Sequence, residues 1–452
     1  MNRRGFLKAA SGVAAGVASP YFMTSASGAP DKNSRPVLGM IGCGGKGRDD
    51  SKLAAAYGDF AAVCDVGRNR AARYAEDPIL NGNGTRRIDL YEDYRKLLER
   101  NDIDAVICAT PDHWHTPIYV AALKAGKHVY GEKPMTLTID EGKILRRVVN
   151  DGDRIFQVGN QQRSCQWFRE AIAIAQSGIL GSRITAYCYL GKGPSGGPFK
   201  PKDPPPGLNW DFWLGQAPLV PYIPQRCHGS FRWWMEYSGG KLTDWGAHHI
   251  DIAQWGIGCL DTGPIEIEGE GVFDRRENCF NTAQTYSCTL TFANGNKIVV
   301  KDGPGNGILF EGEKEHIFVN RGRLTGNLIN KIAADRSRHE RLRRAAASLY
   351  EGAYGKPEQE LNDYSRFDQK TDWVRVKQSH MGNFFQCIQD SATPISDVET
   401  VQRTTTSCHL VNIGMQVGRK LSWDPTTEDF VGDAEASSML AREQRTPYVI
   451  EA

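Results

Sequence analysis

Short apolar runs set the rhythm of the first third of the chain. Val37-Leu-Gly-Met-Ile41 is continuously apolar and is cut off by Gly42-Cys-Gly-Gly-Lys-Gly47. A run of this length bounded by turn residues predicts a strand buried on both faces. Similar runs recur at Phe60-Ala-Ala-Val-Cys64 and at 87–91, 103–109, 128–130 and 155–159, with helix-like stretches at 69–76, 94–100 and 116–125 between them. Strands alternating with helices in this way predict an α/β N-terminal domain over residues 34–159. Its parallel, doubly wound sheet would bind ligands beyond the carboxyl ends of the strands.

Beyond residue 159 the pattern changes. A helix is expected at 168–177, and residues 184–190 open a new sheet that continues through 263–271, 285–292, 297–301, 307–312 and 316–321. These segments alternate apolar and polar positions, as strands with one covered face do. They predict an α+β C-terminal domain, 160–452, with a large open, mainly antiparallel sheet that also serves substrate binding and self-association as a homo-oligomer. The Gly/Pro-rich stretch 191–207 reads as a cover over a cleft or a subunit contact. Residues 331–350, with Arg336, Arg338, Arg341, Arg343 and Arg344, read as a solvated basic helix. A polar linker (355–372), a helix bearing His380, a long helix over 401–421 and an extended tail complete the reading.

Composition adds the compartment. The sequence is 40% hydrophobic and 24% charged with a net charge of +2, which is globular and argues against a dedicated nucleic-acid binder. Asn2-Arg3-Arg4-Gly5-Phe6-Leu7-Lys8 resembles a twin-arginine export motif, and residues 9–23 form a mildly apolar stretch followed by small residues. Residues 1–30 are therefore expected to be a signal read by the twin-arginine export machinery and cleaved, leaving a periplasmic protein. That machinery exports folded proteins, which fits a cofactor loaded before export. The 11 cysteines form no ligand-spaced cluster, and no metal is expected.

The chemistry begins at Gly42, Gly44 and Gly47, spaced G-x-G-x-x-G. The first glycine permits a tight turn, the second lets pyrophosphate approach the backbone, and the third lets helix meet strand. Asp65 ends the second strand eighteen residues beyond Gly47, where a carboxylate meets the adenosine ribose hydroxyls and repels a 2′-phosphate. NAD is thus expected over NADP, with Arg68 and Arg70 keeping NADP open.

Together with Ala109-Thr110-Pro111, His115 and Ala125-Gly-Lys-His-Val-Tyr-Gly-Glu-Lys-Pro134, the glycine turn resembles the Gfo/Idh/MocA oxidoreductases. That resemblance implies an active-site Lys133, with Glu132 on the nicotinamide side. Thr110, Trp114, His115 and Asn160 join the cofactor residues, while His113 is read as a helix cap. Gly239-Gly-Lys-Leu-Thr-Asp244-Trp-Gly-Ala-His248-His-Ile-Asp251 matches the family's second pattern, which implies that Asp244 and His248 share catalysis with Lys133. At i and i+4 on one helix, Asp244 would orient His248 and raise its pKa. His249 and Asp251 are read as structural. Arg163, Trp210, Arg232 and His380 are candidates for substrate contact. The activity implied is oxidation or reduction of a secondary hydroxyl of a sugar, glycoside or cyclitol by tightly held NAD. The alternative is a glycosidase that oxidises, eliminates and re-reduces.

Overall fold

The computed structural model describes residues 35–354 and 371–451. The expected export signal and most of the linker 355–372 lie outside them. Six parallel strands, β1 (Val37–Ile41), β2 (Asp59–Cys64), β3 (Asp89–Tyr91), β4 (Ala105–Cys108), β5 (His128–Gly131) and β6 (Phe156–Val158), form a sheet in the order β3-β2-β1-β4-β5-β6. The apolar runs end up central because both faces are covered: every residue of β4 is buried, and Leu38 and Met40 of β1 are fully so. β1 pairs with β2 through Leu38 and Phe60 and with β4 through Leu38 and Ala105. Strand order reverses between β1 and β4, which opens a crevice beyond their carboxyl ends.

The second sheet has nine strands: β7 (Ile184–Tyr189), β8 (Glu266–Val272), β9 (Thr285–Thr291), β10 (Lys297–Lys301), β11 (Gly307–Gly312), β12 (His316–Asn320), β13 (Arg323–Thr325), β14 (Leu421–Asp424) and β15 (Asp429–Phe430). Their order is β13-β12-β11-β7-β10-β9-β8-β14-β15. All pairings are antiparallel except β10 with β7. Alternation is strict where the sheet is half-covered: Ile184, Ala186 and Cys188 face the core while Thr185, Tyr187 and Tyr189 face out.

Two late helices join the domains. Thr371–Asp390 lays Met381, Phe384, Phe385 and Ile388 on one face of the first sheet, in one core with Met40, Val63 and Ile107. Val398–Val417 begins at Asp397, whose side chain accepts from the N–H groups of Glu399 and Thr400, and stops at Gly418 with φ +70°. It contributes Val398 and Val401 to the first domain's core and Cys408, Leu410 and Val411 to the second's, so its burial is nearly all round.

Two expectations are corrected. The basic stretch is two helices, Asn327–Ala334 and Arg336–Tyr354, and the second buries Leu342 and Ala346 rather than lying wholly in solvent. The tail is not simply extended, since β14, β15 and the helix Ala434–Ser438 precede its irregular end. The stretch 191–207 is irregular, as expected, and its end reaches the first domain, where Arg68 N–H donates to Gly207 O at 2.9 Å.

Candidate active site

A cleft of about 550 Å³ lies beyond the carboxyl ends of β1 and β4 and is closed on its far side by second-domain residues. Gly42, at φ +93°, turns the chain out of β1, and a Cβ there would lie 2.7 Å from Ala109 O. A Cβ on Gly47 would lie 2.1 Å from Gly42 O and 2.5 Å from Met40 Cε, so helix Gly45–Ala54 can approach β1 only because Gly47 has no side chain. That helix begins at Gly44 without a side-chain cap or an acidic first turn. Its free N–H groups and positive dipole end therefore face the cleft, as a pyrophosphate requires.

Asp65 lines the cleft at the end of β2 and accepts hydrogen bonds from the N–H groups of Cys43, at 2.8 Å, and Gly67, at 2.7 Å. Each oxygen keeps a lone pair for a ribose hydroxyl. Arg68 is turned out toward Glu92, whereas Arg70 lines the cleft beside Gly44 and His228. These residues fit a dinucleotide with its phosphates on the glycine turn.

At the other end, Lys133 and Asp244 form an ion pair at 2.5 Å, with side chains only 12% and 18% exposed. Lys133 also donates to Asp244 O at 3.1 Å, and Arg232 stands 3.5 Å from the same carboxylate. Burial pushes the Asp244 carboxyl up, but Lys133 and Arg232 outweigh it and hold the group below its ordinary value. The expected Asp244–His248 pairing is corrected. Asp244 closes the short helix Lys241–Asp244, His248 lies on the next helix, Gly246–Gly256, and the carboxylate turns to the lysine. His248 has a buried Nδ1 without a partner. Burial, then the charges of Arg321 and Lys133, hold its pKa well below the ordinary value rather than raising it.

Glu132, Thr110, Trp114 and Arg232 line the cleft, as do Gly42, Gly44, Asp65, Lys133, Asp244 and His248. Five other sequence candidates lie outside the cleft. Arg163 is buried against Asp251 at 2.6 and 2.8 Å and also donates to Ile395 O and Thr400 Oγ1. His380 sits between Ser164 Oγ, at 2.7 Å, and Val158 O, at 3.0 Å, tying its helix to β6. Trp210 stacks on Trp213 at 4.7 Å and donates to Val220 O, so Trp213 rather than Trp210 reaches the cleft. Both ring nitrogens of His115 face backbone carbonyls, of Pro134 at 2.6 Å and of Thr110 at 3.1 Å, which makes it a brace for the two loops rather than a cleft residue. Asn160 is buried outside the cleft, and its neighbour Gln161 lines it, donating to Glu132 Oε1 at 3.2 Å.

Sequence reasoning missed Lys46 and Arg321. Lys46, in the glycine turn, bridges Asp50 and Glu132, the latter at 2.8 Å, and so ties the phosphate loop to the Glu-Lys-Pro segment. Its place in the turn was a signal; its partner, 86 positions away, was not. Arg321 follows β12 and had no motif around it.

Comparison with known proteins agrees with this geometry. Residues 37–160 match the Gfo/Idh/MocA model described as an oxidoreductase family NAD-binding Rossmann fold, and residues 186–344 and 340–450 match that family's C-terminal alpha/beta domain. Among relatives, a glycosyl hydrolase family 109 protein of Solibacter usitatus is 35% identical over 152 residues, 31% of this chain and 34% of its own length. The uncharacterized oxidoreductase YrbE of Bacillus subtilis is 24% identical over 308 residues, 67% of this chain and 74% of its own. A levoglucosan dehydrogenase of Pseudarthrobacter phenanthrenivorans is 28% identical over 226 residues, 49% and 51%. The chain thus spans about a third of the first of these relatives and half of the last. Among solved structures, levoglucosan dehydrogenase with NADH and L-sorbose superposes at a TM-score of 0.59 and 17% identity, covering 86% of this chain and 99% of its own. The WlbA dehydrogenase of Bordetella pertussis with NADH and UDP-GlcNAcA does so at 0.60 and 16%, covering 87% and 99%. The glycine turn, the Glu-Lys-Pro segment and both matched domains agree: the chain is an NAD-binding oxidoreductase of the Gfo/Idh/MocA family.

Proposed function

We propose that this protein oxidises or reduces a secondary hydroxyl of a sugar, glycoside or cyclitol with NAD that stays bound. The observation that carries the reading is the meeting of Lys133, from the first domain, with Asp244 and His248, from the second, in one cleft. Bound NAD supplies the hydride acceptor or donor. His248, unprotonated in this setting, is the group placed to accept the hydroxyl proton, with burial and the neighbouring cations opposing the imidazolium that results. Lys133, steered by Asp244, donates a hydrogen bond to the same oxygen and stabilises the negative charge that grows on it. Export by the twin-arginine route and life in the periplasm belong to this reading, because an enzyme without free nucleotide around it must carry its own.

Assembly through the second sheet belongs to it too. Val299, Tyr187, Leu309 and Phe318 stand in register across four strands on the sheet's outer side, each part-exposed, an apolar row suited to a second copy. Mature N-terminal sequence and mass in solution test these two points.

A second reading, a glycosidase that closes its redox cycle, draws on the 35% identity to a glycosyl hydrolase family 109 protein. Product masses from a glycoside panel separate the two readings.

The central test is single-turnover reduction of bound NAD. Lys133→Ala and His248→Ala should each slow hydride transfer by about 10²- to 10⁴-fold while nucleotide content stays near that of the parent. Because both groups serve one oxygen, the double variant should lose less than the product of the single losses. Near-normal transfer in His248→Ala would remove it as the base.

A further inference from the structure

The guanidinium of Arg321 lines the cleft without an ion-pair partner among the described residues. Its central carbon lies over two indoles, 4.7 Å from the Trp245 ring centre and 4.5 Å from that of Trp373. Its Nε donates to Gln162 Oε1 at 3.2 Å, and Gln162 in turn donates to His248 O at 3.2 Å. Three elements besides its own therefore meet at this side chain: the turn after β6, the junction of helices Lys241–Asp244 and Gly246–Gly256, and the helix Thr371–Asp390. Yet its Nη2 is buried with no hydrogen-bond partner.

Among the described residues Arg321 has no ion pair, and the nearby carboxylates are already engaged. Asp244 is held by Lys133 and Arg232, Glu132 by Lys46, and Asp112 accepts from Ser238 at 2.5 Å. Burial pulls the Arg321 pKa down to about 10, the mark of a cation without a counterion of its own. A buried cation left unpaired is costly, so a site of this kind persists where a ligand completes it. Lining the cleft beside its two indole neighbours, the guanidinium offers a cationic donor group that suits a carboxylate. The cleft carries carboxylates as well, but at this end Asp244 and Glu132 are already paired with lysines. Lys377, one turn along the helix from Trp373, lines the cleft, so Lys133, Arg232, Arg321 and Lys377 gather there with Asp244 held by two of them.

We infer that the substrate carries a carboxylate, as a uronic or aldonic acid does, and that Arg321, beside Trp245 and Trp373, receives it. This deepens the reading of a sugar-directed oxidoreductase and rests on it for the sugar, but the anion site stands on its own geometry. His248 and Lys133 line the same cleft, so a sugar ring anchored by its carboxylate presents its hydroxyls to them.

The test is calorimetric binding to the full-length, NAD-loaded protein, using glucuronate, galacturonate and gluconate, the near-isosteric neutral glucuronamide, glucose, and glucose 6-phosphate. At least one acid should bind tighter than its uncharged counterpart by about 10- to 100-fold, the range of a hydrogen bond to a charged group. In Arg321→Gln that difference should shrink to within about threefold, and in Arg321→Lys, which keeps the charge without the planar fork, it should be only partly restored. Equal binding of acid and amide, no binding of any acid, a preference undiminished in Arg321→Gln, or binding of glucose 6-phosphate alone would each overturn the inference. If Arg321→Gln does not fold, the comparison of glucuronate with glucuronamide on the parent protein still decides. Tight binding of an acid with no reduction of bound NAD would leave the carboxylate site standing and remove the redox reading instead.

Discussion

Two glycines in the same turn show how finely the cofactor site depends on single atoms. A methyl at Gly45 would meet nothing within 4 Å, whereas one at Gly47 would strike Gly42 O at 2.1 Å. Gly45→Ala should therefore retain bound NAD, and Gly47→Ala, which must push the helix off β1, should lose most of it. Nucleotide released on denaturing each purified variant measures this, and full retention in Gly47→Ala would contradict the tight packing. The same scale explains why Asp244 does not serve His248. The Lys133 ammonium offers it a full charge and a short hydrogen bond, and the carboxylate is turned to that partner. Spacing on a helix brings residues to one face, but it does not rank the partners that arrive from elsewhere.

The helix Gly246–Gly256 works in two directions, since it sends His248 into the cleft and Asp251 into the interior against Arg163. Those two side chains are 0% and 1% exposed, so neither charge has water to fall back on. Asp251→Ala should cost about 3–5 kcal/mol, the usual penalty for stranding a buried charge. Replacing Arg163 and Asp251 together by Met and Leu should recover much of that loss. Denaturant midpoints of the two variants give the answer, and an unaffected Asp251→Ala would show that the pair is not a structural tie. This also accounts for the misplaced substrate candidates. Arg163 and His380 stand near the ligand-bearing edge in sequence, but their backbones aim them inward, and a residue's type does not reveal the direction of its side chain.

At the scale of the molecule, histidine burial governs the response to acid. His113 is pulled down to about 3, and His128, His249, His380 and His409 to about 4, by burial, with His248 also far below its ordinary value. The folded chain keeps all six neutral, while the unfolded chain binds protons on them as pH falls through about 6.5. The unfolded state then holds more protons, so stability should fall as pH drops from 7.5 to 5.5. Glu170, pushed up to about 8 by burial, and the raised carboxyls of Asp50, Asp65, Asp104, Asp112 and Glu141 act in the opposite sense, and the six imidazoles, all of which titrate in the unfolded chain across this window, are expected to outweigh them. Urea midpoints at the two pH values check it; a midpoint that rises at pH 5.5 would reverse the sign. What the chain's own order determined is local: continuous apolar runs made the parallel strands, strict alternation made the half-covered sheet, and Gly42, Gly44, Gly47 and Asp65 declared a dinucleotide turn, because backbone conformation and burial period are read from neighbours in sequence. Only the tertiary structure decided the pairing of Lys133 with Asp244, the bridge from Lys46 to Glu132, the burial of Arg163 and the placing of Arg321 against Trp245 and Trp373. Those contacts join residues tens to more than a hundred positions apart, and competition for charge and space among them is settled only once the chain has closed on itself.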